Sequence, residues 1–189
     1  MPVAATRNLF FALTPDPAVR RALAKESERL HAAWGGRRTQ DAKLHVTLLF
    51  LDAMPVPLSP EVVKAARDAA ETIVAPPFDL LIDRADRFGH RVGWLGCSRV
   101  PGPLQALHDA LSEACGARGV PMRHEDRYVP HLTALRDPRR AEPHHVAPIR
   151  WHVDGFRLMA SAEGAYETLG KWALHPEAGV SEDATHEPT

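Results

Sequence analysis

Aromatic side chains are scarce, at 6% of 189 residues, so a core has to be assembled mainly from Leu, Val and Ala. Cysteine is scarcer. Cys97 and Cys115 make neither a disulfide framework nor a zinc site by themselves, and each sits in an apolar stretch as a small core residue would. No apolar run reaches membrane-spanning length. The segment Met1 to Leu13 carries one arginine and leads straight into a patterned region, unlike a signal peptide, so the cytoplasm is the expected compartment. Excess positive charge is also missing. A formal net charge of −1 argues against a protein that coats long nucleic acid, because such binders draw their affinity from neutralising many phosphates. No GxGxxG or GxxxxGK[ST] phosphate loop is present, and Gly35-Gly36 reads as a helix stop.

What is present is ordinary for a globular chain: 44% hydrophobic and 25% charged residues, enough for one good core or two intimately joined lobes. Arginines gather mid-chain (Arg84, Arg87, Arg91, Arg123, Arg127, Arg136, Arg139, Arg140), which predicts either a small cationic mouth for a ligand with one or two phosphates or a set of solvated surface charges.

Periodicity predicts strands at Arg7–Leu13, Lys43–Leu51, Phe78–Phe88, Arg91–Cys97 and His131–Arg136. A closing pair follows at Trp151–Ala160 and Ala165–Leu174, around Ser161-Ala162-Glu163-Gly164. Helices are predicted over Asp16–Trp34, with Val19, Leu23, Leu30, Ala33 and Trp34 on one face, over Ser59–Val74, and over Pro103–Cys115. Met54–Pro60 and Asp137–Pro148 read as surface loops. The patternless polar segment 176–189 reads as a disordered tail behind a single domain of residues 1–175. Strands and helices interspersed with hairpins indicate α+β rather than a parallel, doubly wound sheet.

Two short segments carry the chemistry: His45-Val46-Thr47-Leu48 and His131-Leu132-Thr133-Ala134. In a strand, the period of two sends His and Thr to one face and the flanking apolar residues to the other, as a strand lining a cleft requires. Opening a cyclic phosphodiester needs a base to take a proton from water and an acid to protonate the leaving oxygen. Histidine serves both roles near neutral pH. A threonine hydroxyl on the same face can donate to a non-bridging phosphate oxygen. Such a scheme needs no metal and no cofactor. A lone His-x-Thr is more often structural; two copies with matching pattern bring the structural and chemical readings level.

At these residues the chain resembles the 2H phosphoesterase superfamily, and more closely the RNA 2′,3′-cyclic phosphodiesterases once called 2′-5′ RNA ligases. The resemblance runs from about Arg7 to Leu174, through NLFFAL, LHVTLLFL, VGWLG, VPHLTALRD, FRLMAS and YETLGKWAL. It implies a bilobal α+β fold with pseudo-twofold duplicated lobes, antiparallel sheets flanking a central cleft, and helices outside. It further implies His45 as proton donor to the leaving 3′-oxygen, His131 as the proton acceptor that activates water, Thr47 and Thr133 as phosphate-binding residues, and Arg136 as a substrate-binding residue. The expected substrates are RNA ends or small cyclic nucleotides, acted on by a monomer that does not engage a membrane. Strict alternation would place Arg136 opposite His131, so it reaches the site only if the strand ends or twists. Ala134 replaces a larger apolar residue on the face away from the cleft. Phe10 or Phe11 offers a stacking surface for a terminal base, or a core side chain.

Three rival readings remain open. His144, His145 and His152, with Glu142 and Asp154, suggest a metal site, although neighbours in a strand point to opposite faces. A non-catalytic RNA-end binding module is the second. The third is a 2H relative acting on another cyclic or 2′-5′ linked nucleotide, or running the reaction backward as a ligase.

Overall fold

The chain passes back and forth between two halves of one antiparallel sheet. The computed structural model describes residues 5–123, 127–162 and 164–175. The expected tail at 176–189 and Glu163 of the last turn lie outside the described residues. In order the elements are β1 (Thr6–Leu13), α1 (Pro17–Trp34), β2 (Arg37–Arg38), a 3₁₀ turn (Asp41–Lys43), β3 (Val46–Pro55), α2 (Pro60–Ala70), β4 (Phe78–Phe88), β5 (Val92–Gly96), α3 (Gly102–Gly116), β6 (His131–Arg136), β7 (His144–Val153), β8 (Gly155–Ala162) and β9 (Ala165–Ala173).

Strand order is β7-β4-β5-β6-β3-β1-β8-β9, with β2 added to β6. Every pairing is antiparallel, and the two central strands meet only at Val46 and Leu132. The fold is therefore two four-stranded halves, β6-β5-β4-β7 and β3-β1-β8-β9, that mirror one another about a narrow seam. Helix α1 packs on the β6 half, against β6 and β7, while α2 and α3 pack together on the β3 half. Because β1 leads to a helix on the opposite half, the lobes are not consecutive pieces of chain.

Local chemistry sets the main boundaries. Asp16 caps α1 by accepting from the amides of Ala18 (2.7 Å) and Val19 (2.9 Å), and Gly35, at φ 67°, ends it. The face buried by α1 follows the expected stripe at Val19, Leu23, Ser27, Leu30 and Trp34, but Ala33 is exposed and Ala24 and Glu26 widen the buried face. Helix α2 stops at Ala70 rather than Val74, because the amides of Thr72 and Ile73 turn back to the carbonyls of Ala69 and Ala70 in tighter i→i−3 bonds.

Two other expectations need correction. Residues 144–148 are strand, not loop, and the Trp151–Ala160 strand is split at Asp154. Strand β7 is an outer strand of the sheet; Ile149–Val153 alternate, but His144–Pro148 are mostly exposed, so that stretch shows little alternation and tolerates Pro148. After Val153 the chain leaves β4 and crosses to pair with β1, at a glycine (Gly155) whose added Cβ would lie 2.7 Å from the Trp172 carbonyl oxygen. The core fills both sides of β1. Leu9, Phe11 and Leu13 enter the main core, while Phe10 and Ala12 join Met159 in a smaller cluster beside Phe50 and Tyr166. Each fully buried Leu or Phe contributes about 1.5–3 kcal/mol. Cys115 is buried, with its thiol pKa pushed up to about 11, and Cys97 is half-buried.

Among the described residues, no helix is long and apolar enough to cross a membrane.

Candidate active site

The seam between the halves opens into a cleft of about 770 Å³, and His45, Thr47, His131, Thr133 and Arg136 all line it. His131 opens β6, whereas His45 lies one residue before β3, so the first motif begins in the turn rather than within a strand. Arg20 of α1 holds that turn. Its guanidinium donates to the carbonyls of Asp41 (2.7 Å), Leu44 (3.3 Å) and Pro15 (3.2 Å). Nothing in the local pattern around His45 points to this residue on a distant helix.

Both motifs share one burial sequence. From Leu44 to Phe50 the side chains run buried, half-buried, buried, half-buried, buried, buried, half-buried, and Pro130 to Arg136 repeat it with Arg136 exposed. The break in alternation is a β-bulge in each strand. Against β1, Thr47 faces Ala12 and Leu49 faces Phe11, so Leu48 is the extra residue; against β5, Thr133 faces Trp94 and Leu135 faces Gly93, so Ala134 is. Each bulge resets the period by one and returns the next-but-one residue to the cleft. That residue is Phe50 in one half and Arg136 in the other, which is how Arg136 reaches the site that alternation denied it. Ala134 is fully buried, away from the cleft as expected.

The histidines are held alike. His45 Nδ1 lies 2.7 Å from the Lys43 carbonyl and His131 Nδ1 lies 2.7 Å from the Val129 carbonyl. A carbonyl only accepts, so each Nδ1 carries a proton and donates it, and proton exchange falls to Nε2. Thr47 Oγ1 stands 3.2 Å from His45 Nε2.

Their surroundings differ. Phe10 stacks on His45 at 5.1 Å and Tyr166 meets it edge-on at 5.2 Å. Burial lowers the pKa of His45; the Lys43 carbonyl opposes this, and the charges of His131, Arg20 and Arg136 reinforce it. His131 instead meets Phe88 edge-on at 4.7 Å, with Trp94 at 6.1 Å. Phe11 is wholly core, against Phe156 and Trp172, while Phe10 borders the cleft but is only 4% exposed, with its ring stacked on His45. Phe50 is the cleft's accessible phenyl ring, with the Arg123 guanidinium 5.0 Å over its centre.

Of the eight mid-chain arginines, Arg123 and Arg136 line the cleft; Arg38 and Lys43, outside that run, join them. Arg84 instead pairs with Asp86. The metal reading is not supported by placement. His152 pairs with Asp79 at 2.9 Å and His144 with the Glu142 carbonyl at 2.9 Å, and among the described residues no three His, Cys, Asp or Glu side chains form a metal-binding group.

Known proteins share this sequence pattern and fold. The model of the 2′-5′ RNA ligase superfamily matches residues 15–165. The RNA 2′,3′-cyclic phosphodiesterase of Thermus thermophilus is 27% identical over 187 residues, spanning 91% of this chain and 92% of that protein. The E. coli LigT structure in complex with 3′-AMP superposes with a TM-score of 0.77 at 29% identity, covering 91% of this chain and 100% of LigT. The apo form of LigT gives 0.76 at 30% identity, over 90% and 99%. Matched over most of its length, on a fold that brings two His-x-Thr strands to one cleft, this chain belongs to the 2′-5′ RNA ligase superfamily and is a 2H phosphoesterase.

Proposed function

We propose that the protein hydrolyses RNA 2′,3′-cyclic phosphate ends to 2′-phosphomonoesters by two-histidine general acid–base catalysis, without a metal. The observation that carries this reading is the paired Nδ1–carbonyl bond. It gives both imidazoles the same tautomer and leaves each a proton-exchanging Nε2 in one cleft, each with a threonine hydroxyl on the same face.

In the forward reaction His131 Nε2 takes a proton from water as the water oxygen bonds to phosphorus. The bond from phosphorus to O3′ breaks, and the proton on His45 Nε2 passes to O3′. Thr47 and Thr133 donate to the non-bridging oxygens, and Arg136 offsets their charge. Before substrate binds, the lowered pKa of His45 favours its neutral form, with the Thr47 hydroxyl donating to Nε2. The negative charge of an arriving phosphodiester opposes the influence of His131, Arg20 and Arg136 and draws the proton onto His45. The acid is thus armed by its substrate. Phe50, backed by Arg123, provides the ring on which a nucleobase stacks.

The test is incubation of the purified protein, in chelator, with an oligonucleotide ending in a 2′,3′-cyclic phosphate. The expected product carries its phosphate on O2′. Absence of turnover, a phosphate on O3′, or activity that vanishes in chelator and returns with zinc overturns the reading.

A further inference from the structure

Strands β3 and β6 part beyond Val46 and Leu132, and the carbonyls of the two bulge residues, Leu48 and Ala134, are met differently in the two halves. In the β6 half, the amide of Thr39, just after β2, donates to the Ala134 carbonyl at 2.8 Å. In the β3 half, the Leu48 carbonyl accepts from His108 Nδ1 of α3 at 2.7 Å. The preceding carbonyl, that of Thr47, accepts from the Tyr128 hydroxyl at 3.2 Å. The two donor rings are stacked face to face, 4.0 Å between centroids and 4° from parallel.

We propose that His108 and Tyr128 act as an interlobe clamp, a positioning pair that fixes the first His-x-Thr motif relative to the second. Tyr128 immediately precedes Val129, whose carbonyl holds His131 Nδ1. One short stretch of chain therefore grips the backbone of Thr47 through its hydroxyl and the ring of His131 through its carbonyl. His108 braces that grip from α3. Strands β3 and β6 pair only at Val46 and Leu132, so ladder hydrogen bonds contribute little to the spacing of the two histidines. The clamp supplies what the ladder does not. A general acid and a general base must both reach one phosphorus, and a misplacement of about 1 Å costs on the order of 10²-fold in rate.

The role rests on the proposed function, and its test separates the two. Tyr128→Phe keeps the stacked ring and removes one hydroxyl. His108→Ala removes ring and donor, and His108→Asn restores an N–H donor near the position of Nδ1. On a 2′,3′-cyclic-phosphate dinucleotide, Tyr128→Phe and His108→Ala are expected to lower kcat by roughly 10- to 10²-fold with KM changed less than about threefold. His108→Asn should regain much of the loss, and the Tyr128→Phe/His108→Ala double variant should fall short of the product of the single effects. Backbone carbonyl NMR shifts of Thr47 and Leu48 should move in Tyr128→Phe and His108→Ala, respectively, a readout independent of turnover. Parental kcat in both single variants, a loss confined to KM, or unmoved carbonyl shifts overturns the clamp. Should His108→Ala fail to fold, Tyr128→Phe decides by the same measures. An inactive parent protein defeats the functional reading instead and leaves the clamp to be judged on the carbonyl shifts.

Discussion

The two His-x-Thr half-sites share a backbone and differ in chemistry. Both run through the same burial sequence, both tie histidine Nδ1 to a carbonyl two residues earlier, and both carry a bulge after the threonine. Around that common frame each histidine meets two aromatic rings, Phe10 and Tyr166 at His45 and Phe88 and Trp94 at His131, but the first half delivers Phe50 to the cleft and the second delivers Arg136. A nucleotide end is itself polarised, with an anionic phosphate and a flat base. Under the proposed function, the paired scaffold serves such an end by placing a cation at one copy of a position and an aromatic ring at the other. Duplication supplies the geometry, and divergence at a few side chains supplies direction.

Removing each histidine tests whether the halves are equally necessary. His45→Ala and His131→Ala should each lower kcat by about 10²–10⁴-fold, and the double variant should lose little more, because acid and base act as a unit. Near-parental turnover by either single variant would defeat the two-histidine scheme. Thr47→Ala and Thr133→Ala should follow at roughly 10²–10³-fold, each losing one donor to the transition state. A large effect from only one of them would mean that a single half holds the phosphate.

Arg136→Gln should lower kcat/KM by about 10- to 10²-fold, through loss of a charge-assisted hydrogen bond worth about 1.5–3 kcal/mol. It should also move the His45 limb of the pH–rate profile upward, because the Arg136 charge helps to hold that pKa down. Phe50→Leu should instead raise KM for base-bearing substrates and leave that limb in place. At the bulges, Ala134→Leu adds volume to a fully buried site and should cost about 1–3 kcal/mol in urea unfolding.

The smallest effect is on stability against pH. His45 has a lowered pKa in the fold, so as pH falls through its ordinary value the unfolded chain takes up a proton that the folded ring refuses. Stability is therefore fullest above that value and declines until pH passes the lowered one. His45→Asn should flatten this part of the curve, as read by unfolding at a series of pH values. An unchanged slope would show that burial of His45 does not govern it.

Local pattern was enough for much of this. The period-two placement of His and Thr, the helical span of α1 with its stop at Gly35-Gly36, and the α+β class are all consequences of residues a few positions apart, where side-chain direction and chain-reversal chemistry act directly. The start of edge strand β7, His144–Pro148, was illegible because an outer strand buries little and need not alternate. Arg136 was misplaced by simple counting because a bulge depends on what the neighbouring strand does, and Ala134 alone does not announce one.

The amino-acid sequence by itself determined that two like-built polar pairs would each face one side of a strand, because strand geometry leaves a side chain only two directions. Only the tertiary structure decided that the pairs share a cleft, that Phe50 and Arg136 occupy matched places in it, and that Arg20, His108 and Tyr128 hold the frame. Those relations join segments far apart along the chain, and packing, not local periodicity, brings them within hydrogen-bond reach.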